Sequence, residues 1–500
     1  MRQLSAIIIA AALSAAPAFA QSEGEVVSKS YDDGSIYVGT FKNGRQDGTG
    51  TYTLPSGYEY TGEWVAGEIK GQGSAKYPNG SVYTGQFEKG QPHGKGKIAF
   101  ADGGTYEGDW LHGKMTGQGV ARYANDAVYT GGFENGQHHG QGVIENPGGY
   151  RYEGDWLAGV KEGQGKITYA DGTVYEGGLV KGERAGKGTL IMPNGLTYTG
   201  DWAAGQINGT GKLTQPNGDV YDGPFANGQR QGQGQVTYAS GDVYKGGFKE
   251  DRRHGQGIFT AKDGFRYEGS WVEGRMEGTG SVTYPDGSVY VGAMAGDLAQ
   301  GQGAITYPDG STYTGAWEKG VIQGKGRATY ASGLIYEGDF VDAQPQGQGV
   351  MSYPDGYRYE GDWKAGAREG VGTATYPDGT VYKGDFKANL RAGQGEITMP
   401  GGFGYIGAWA EGEIHGIGKA TYPEGDIYEG NFEKGRRSGQ GKLTYKSGQV
   451  AEGIWQDGIL TAAPEGTPEA PADGATPAEG AAPAATPAPE APATEAPATP

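Results

Sequence analysis

Apolar and polar residues alternate along most of the chain in short stretches that recur with a period of 23 residues. A Tyr-x-Gly triplet begins at Tyr37 and returns at every twenty-third position as far as Tyr428, which gives 18 repeats without an insertion. In the repeat from Tyr267 to Val289, two alternating stretches are separated by glycines and followed by Pro-Asp-Gly. Alternation with period two is typical of half-buried antiparallel strands. The pattern therefore predicts one β-hairpin per repeat.

We number the positions of each repeat from its first tyrosine. Positions 3, 12 and 14 are glycine in every complete repeat, and all nine tryptophans stand at position 5. We expect a first strand at positions 1–5, a loop from Gly274 to Gly278 in the repeat that starts at Tyr267, and then a second strand. Positions 3 and 14 share the face that carries the rings, so an aromatic ring from a neighbouring strand is predicted to lie over these glycines. Pro-Asp-Gly is predicted to turn the chain into the next hairpin.

The predicted fold is all-β: an elongated single-layer antiparallel sheet of tandem 23-residue β-hairpins with a disordered tail. Five segments follow from the sequence. They are a signal peptide (1–20), a partial N-terminal repeat or cap (21–36), eighteen repeats (37–450), a degenerate C-terminal cap repeat (451–460) and a disordered Pro/Ala/Thr/Glu-rich tail (461–500).

The composition of the chain excludes or disfavours several fold classes, reactions and partners. Glycine accounts for 100 of the 500 residues, yet it lacks the one-in-three spacing of collagen, and its abundance disfavours long helices. The chain has no cysteine, which excludes disulfides and thiolate chemistry. Its formal net charge of −18 disfavours nucleic acid as a partner.

The N-terminal residues are typical of a secretory signal. Arg2 is followed by the apolar stretch 4–15 and by Ala18-Phe19-Ala20, a small-x-small cleavage pattern. We therefore predict export to the periplasm or the extracellular space. Because an exported chain without cysteine fits a bacterial envelope best, we expect that setting.

From about Tyr31 to Gly458 the pattern Y-x-G-x-W-x-x-G-x-x-x-G-x-G resembles the MORN (membrane occupation and recognition nexus) repeat. The resemblance implies tandem hairpins that form a long, twisted antiparallel sheet. It also implies roles in protein interaction and self-association, and contact with phospholipid membranes in some members.

The rings at positions 1 and 5 are the candidate ligand or partner face, and the alternative interpretation is that they are only the core. The ten residues chosen for this face are Tyr60, Trp64, Tyr106, Trp110, Tyr152, Trp156, Tyr267, Trp271, Tyr359 and Trp363. No catalytic, cofactor-binding or metal-binding residues are predicted. Most of the six histidines fall at positions 10 and 11, where we expect solvated loop residues, and a uniform array offers no special cleft for paired carboxylates.

These observations favour a non-catalytic exported scaffold that binds partner proteins or itself through the repeat face. Two alternatives stay open. The rings can stack on a cell-envelope glycan such as peptidoglycan, or the face can contact phospholipid.

Overall fold

The computed structural model describes residues 24–462, and the predicted signal peptide and most of the predicted tail lie outside this range. The described residues contain strands and turns but no helix. They divide into two compact units, unit 1 up to Ala239 and unit 2 from Ser240. The division falls in the turn near the end of the repeat 221–243, whose fifth position is Phe225; the next repeat has Phe248 at its fifth position, and here the alternation of phenylalanine and tryptophan changes phase.

Unit 1 is an antiparallel sheet in which consecutive strands pair. Its strands are β1 (Val26–Ser30), β2 (Ile36–Lys42), β3 (Arg45–Thr53), β4 (Glu59–Val65), β5 (Glu68–Lys76), β6 (Val82–Glu88), β7 (Gln91–Ala99), β8 (Thr105–Leu111), β9 (Lys114–Arg122), β10 (Val128–Glu134), β11 (Gln137–Glu145), β12 (Arg151–Leu157), β13 (Val160–Thr168), β14 (Val174–Val180), β15 (Glu183–Ile191), β16 (Thr197–Ala203), β17 (Gln206–Thr214), β18 (Val220–Ala226), β19 (Gln229–Arg230) and β20 (Gly232–Thr237). The short strands β19 and β20 both pair with β18 and together complete one hairpin.

Unit 2 continues the same architecture. Its strands are β21 (Val243–Lys249), β22 (Arg252–Thr260), β23 (Arg266–Val272), β24 (Arg275–Thr283), β25 (Val289–Ala295), β26 (Leu298–Thr306), β27 (Thr312–Glu318), β28 (Val321–Thr329), β29 (Ile335–Val341), β30 (Gln344–Ser352), β31 (Arg358–Lys364), β32 (Ala367–Thr375), β33 (Val381–Lys387), β34 (Leu390–Thr398), β35 (Gly404–Ala410), β36 (Glu413–Thr421), β37 (Ile427–Glu433), β38 (Arg436–Thr444), β39 (Val450–Gln456) and β40 (Ile459–Ala462). The all-β class and the tandem hairpins predicted from the sequence are confirmed. The assignment of residues 21–36 and 451–460 as caps stays a prediction, although strands occur in both segments.

Most hairpins join a seven-residue strand to a nine-residue strand, as β23 and β24 show. Within this hairpin Gly269 lies opposite Gly280, and on its other side Gly280 lies opposite Gly292 of the next hairpin. Positions 3 and 14 therefore form a row of paired glycines that crosses the strands of each unit.

The hairpin turn is tighter than the sequence predicted. Glu273 and Gly274 form a two-residue turn in which both φ angles are positive, 50° and 91°, as a type I′ turn requires. The second strand therefore begins at Arg275, and the predicted loop up to Gly278 is wrong. Gly278, with a φ of 82°, instead lies where a β-bulge interrupts the pairing of the two strands.

The Pro-Asp-Gly turn forms as predicted. The backbone N–H of Ser288 donates to Asp286 Oδ1 over 2.8 Å, and the N–H of Gly287 donates to the carbonyl of Tyr284 over 2.9 Å. Gly287 has a φ of 91°, which a residue with a side chain rarely adopts. This turn chemistry passes the chain to the next hairpin.

The tyrosine at position 1 lies flat over the glycine row, as Tyr267 shows. A Cβ added at Gly280 would lie 2.3 Å from the Tyr267 ring, and one added at Gly269 would lie 2.5 Å from its hydroxyl. The hydroxyl donates to the carbonyl of Ser270 over 2.8 Å. The predicted ring-on-glycine packing is thus present, with one correction. At position 3 the ring comes from the same strand, two residues earlier, and only at position 14 does it come from the neighbouring strand.

Candidate functional site

We call the side of each sheet that carries positions 1 and 5 the ring face. All ten candidate residues on it are buried, and none exposes more than 7% of its surface. They are Tyr60, Trp64, Tyr106, Trp110, Tyr152, Trp156, Tyr267, Trp271, Tyr359 and Trp363. The structure therefore gives each of these rings a packing role. That they also bind a partner stays a prediction.

The rings of successive hairpins contact one another edge to face. Trp271 packs against Tyr267 of its own strand and Tyr244 of the preceding hairpin, with centroids 5.2 Å apart in both cases. Its Nε1 donates to the carbonyl of Gly257 over 3.2 Å. Burial raises the pKa of Tyr267 to about 12, so the phenol remains a hydrogen-bond donor at neutral pH. This arrangement stabilises the sheet without a second layer of structure.

Position 10 covers the ring face, a role that sequence reasoning missed. Met276 lies opposite Trp271 and is buried. The residue type at this position varies widely, but every member is buried or half-buried. The residues are Gln46, Ile69, Pro92, Met115, His138, Lys161, Arg184, Ile207, Arg230, Arg253, Met276, Ala299, Ile322, Pro345, Arg368, Arg391, Ile414 and Arg437. The sequence contained this information. Position 16 lies on the ring face, and extending the period-two alternation backwards from it places position 10 on the same face.

Where the following repeat has a tryptophan at position 5, an arginine at position 10 stacks on that ring. The Cζ atom lies 4.3 Å from the ring centroid for Arg184, 4.2 Å for Arg253 and 4.4 Å for Arg437. Such cation–π contacts hold a guanidinium over the ring while its stem covers apolar surface. The ring face is therefore sealed by side chains, several of which are positively charged.

His138 corrects the prediction that the position-10 and position-11 histidines are solvated loop residues. It lies in strand β11 and is 5% exposed. Its ring stacks on Tyr129, with centroids 3.6 Å apart, and its Nε2 is 2.6 Å from the hydroxyl of Tyr123. Burial lowers the pKa of His138 to about 4, so the ring is neutral at pH 7.

The opposite side, which carries positions 2, 4, 13 and 15, has mainly polar and charged side chains, most of them exposed or half-buried, together with exposed aliphatic residues such as Val371 and Ile417, and we call it the polar face. Ion pairs join position 15 of one repeat to position 2 of the next: Lys97 with Glu107, Arg327 with Glu337, and Lys419 with Glu429, at 2.8–3.4 Å. Exposed pairs of this kind contribute little to stability. These charged side chains can therefore leave their ion pairs and bind a partner at small cost to the stability of the fold.

In unit 1 the polar face forms an open concavity of about 550 Å³. Lys187 contributes to its lining and pairs with Asp201 at 2.6 Å. Glycine backbone and hydrophilic side chains line it together, and they offer both hydrogen-bond donors and acceptors to a polar ligand. The lining residues are Gln164, Glu176, Gly177, Lys187, Gly188, Thr189, Thr199, Gly200, Thr210, Gly211, Lys212 and Asp222.

Residues 24–462 contain neither a cluster of metal-binding side chains nor a helix that could span a membrane. In that range no group of three or more histidines, aspartates and glutamates is arranged to hold a metal ion. The same residues contain no helix with the length and apolar character needed to cross a membrane.

Comparison with protein families matches the MORN repeat in eighteen consecutive segments. They are residues 37–57, 60–82, 83–105, 106–128, 129–149, 152–174, 175–197, 198–220, 221–243, 244–266, 267–289, 290–312, 313–335, 336–356, 359–381, 382–402, 405–427 and 428–450. The matches begin at the tyrosine of each repeat that the sequence identified. No curated protein matches the chain.

Solved structures show only weak likeness. The SAS-4 (dCPAP) TCP domain of Drosophila melanogaster, solved with a proline-rich motif of Ana2, is 16% identical, with 31% of this chain and 85% of that chain covered and a TM-score of 0.21. The TCP10 domain of Danio rerio CPAP, solved with a STIL peptide, is 13% identical, with 54% and 93% covered and a TM-score of 0.16. A streptogramin B lyase is 11% identical, with 60% and 92% covered and a TM-score of 0.11. TM-scores this low carry no argument about fold or function.

Proposed function

Because the chain belongs to the MORN repeat family, we propose that it is a non-catalytic exported scaffold that binds a partner protein or a second copy of itself. The observation that carries this proposal is the regularity of the polar face. The same register places position 15 of one repeat opposite position 2 of the next along each unit, and exposed ion pairs occupy these positions at Lys97, Arg327 and Lys419, which gives a surface for extended contact. Export rests on the predicted signal in residues 1–20, and a bacterial envelope is the setting in which we propose that the protein acts.

The polar face is the side we assign to the partner, because the ring face is occupied by its own packing. Removing Lys419 from its pair with Glu429 leaves both groups in solvent, so a variant there keeps the fold while changing the surface. We expect Lys419→Glu to weaken self-association or partner binding. Lys434→Glu makes the same charge change in an exposed hairpin turn and serves as the matched control.

The measurement is light scattering after size exclusion over a range of concentrations, followed by cross-linking in envelope extract with mass spectrometry. The proposal expects a dimer or a specific cross-linked partner that Lys419→Glu, or the same change at Lys97 or Arg327, weakens and Lys434→Glu does not. A chain that stays monomeric and forms no specific cross-link contradicts it.

A second candidate is binding to a cell-envelope glycan, and the concavity in unit 1 favours it. The rings that sequence analysis assigned to this role are buried, whereas the concavity presents exposed hydroxyl, amide and charged groups. The hydroxyls of Thr189 and Thr199 lie 3.2 Å apart within its lining. A phospholipid surface remains a third proposal, and the net charge of −18 opposes binding to anionic lipid.

The glycan candidate is tested by retention on purified sacculi. Thr199→Val removes a hydroxyl from the concavity at nearly constant volume, and we expect severalfold weaker retention. Thr314→Val makes the same change at position 2 in unit 2 and is expected to have no effect. Equal retention of the two variants, or none by the parent chain, contradicts this candidate, and flotation with liposomes of stated composition tests the lipid alternative.

A further inference from the structure

Two buried arginines stand at position 10 of neighbouring repeats in unit 2. Arg368 in β32 is 2% exposed and Arg391 in β34 is 3% exposed. Arg368 donates to the hydroxyl of Tyr357 and, over 2.9 Å, to the carbonyl of Asn389. The guanidinium of Arg391 lies 4.6 Å from the ring of Trp409. Burying a charged group away from water is costly, so two guanidinium groups buried in neighbouring repeats need compensating partners.

The hydrogen bonding of Arg391 is incomplete. Its Nε and Nη1 atoms are buried and have no hydrogen-bond partner among the described residues, and no described carboxylate forms an ion pair with it. The hydroxyl of Tyr353, which lies within the electrostatic reach of Arg368, is also buried without a partner. Burial lowers the pKa of Arg391 from its ordinary value, and the like charge of Arg368 acts in the same direction. Arg391 and Tyr353 therefore have hydrogen-bond donors that no described residue accepts.

The tyrosines around the arginines complete a cradle. The rings of Tyr353 and Tyr357 lie 5.1 Å apart, and those of Tyr357 and Tyr376 lie 5.0 Å apart. Phenol hydroxyls and guanidinium N–H groups both donate to carboxylate oxygens, and the charged donors make the stronger bonds. The chemistry of this cluster therefore fits a carboxylate group.

The chain itself supplies carboxylates on the side where unit 2 ends. Residues 463–500 contain six acidic residues and no lysine, arginine or histidine. The last described strand, β40, is separated from β34 by six strand spacings, or about 29 Å at about 4.8 Å each. At about 3.3 Å per residue, the stretch from Ala462 to Asp473 reaches up to about 36 Å. Asp473 and the later acids Glu479, Glu490 and Glu495 are therefore within range.

We propose that Arg368, Arg391 and their tyrosine neighbours form a carboxylate-binding site, and that its occupant is the chain's own acidic segment, residues 463–500. Arg437 stands at position 10 in β38, between this site and the start of the segment, and adds a further positive charge to the ring face. The tether raises the effective concentration of the carboxylates at the site, so a contact that is weak between separate molecules suffices here. The inference does not depend on the partner or glycan proposed above.

The test uses the full chain, which contains no natural cysteine, so that a nitroxide attached at Ala482→Cys is a unique label. Paramagnetic broadening is read on the arginine Nε–Hε nuclear magnetic resonance signals. We expect the Arg391 signal to lose most of its intensity and the signal of Arg253, at position 10 far along the same unit, to be unaffected. Replacing the four acids Asp473, Glu479, Glu490 and Glu495 by their amides is expected to restore the Arg391 signal.

The amide variant leaves the site itself unchanged, so a restored Arg391 signal reports the loss of the carboxylates and not a loss of folding at the site. Equal broadening at Arg391 and Arg253, no broadening at either, or broadening that persists after the acids are replaced overturns the proposal. In a further arm, inorganic phosphate is added to the amide variant. One outcome is that phosphate shifts the Arg391 signal of the amide variant although the nitroxide at position 482 does not broaden that signal when the acids are present. This result assigns the site to a different anion and likewise overturns the proposal.

Discussion

Replacing Gly280 by alanine is expected to destabilise its hairpin by about 2–3 kcal/mol, although the change adds a single methyl group. The new Cβ would lie 2.3 Å from the Tyr267 ring, and its three nearest atoms all belong to that ring. The ring cannot move away freely, because it packs against Trp271 and its hydroxyl is bonded to the carbonyl of Ser270. Native-state hydrogen exchange of the amides in β23 and β24 measures the loss locally, which suits a repeat array better than a global unfolding curve.

Gly401→Ala is the matched control, because a Cβ at that position meets no atom within 4 Å. A double-mutant cycle isolates the cause. In a Tyr267→Ala background the ring is gone, so Gly280→Ala is expected to cost much less than it does in the parent chain. An equal cost in both backgrounds contradicts the ring contact as the origin of the effect.

Acidification from pH 7 to pH 4 is expected to weaken the packing around His138 by roughly 2–3 kcal/mol. The folded chain holds the pKa of His138 at about 4, below its ordinary value of 6.5, because burial disfavours the charged ring. The unfolded chain therefore takes up the proton first. The stabilisation is complete above about pH 6.5 and is lost as the pH falls toward 4.

The variant that isolates this effect is His138→Met, since Met115 occupies the same position in the preceding hairpin. Native-state hydrogen exchange of the amides in β10 and β11, measured on both chains at several pH values, gives the difference in the local free energy of opening, and the effect of the carboxylates, which both chains share, cancels from that difference. A parent chain and His138→Met variant that lose stability in parallel would contradict the assignment.

The sequence was sufficient to predict the hairpin unit because its two determinants are local and repeated. Tyr267 and Gly269 fix which face carries the ring, and Asp286 with Gly287 fixes the turn between hairpins. The register between strands followed from these positions, since a slip by one residue would place every tyrosine on the opposite face. The fold class was therefore predictable from the pattern alone.

The cover of the ring face was not predicted, for a physical reason. Assigning Gly274 to Gly278 to a loop removed position 10 from the strand, whereas a type I′ turn shortens the loop to two residues and a bulge absorbs the remainder. His138 was consequently expected in solvent. The burial of position 10 depends on pairing across the bulge, and a count of apolar residues cannot reveal it, because the position holds methionine in one repeat and arginine in another.

The row of facing glycines also bears on how such a gene can change in length. Because Gly280 meets Gly269 and Gly292 in equivalent ways, excising one 23-residue block within either unit would rejoin strands whose facing residues already match. Gain or loss of a whole block therefore changes the stability of the rejoined sheet little. An insertion or deletion within a repeat would instead shift the register between the two strands of that hairpin and move its tyrosine off the facing glycine. Variation in copy number, rather than in block size, is the form of divergence that this architecture tolerates.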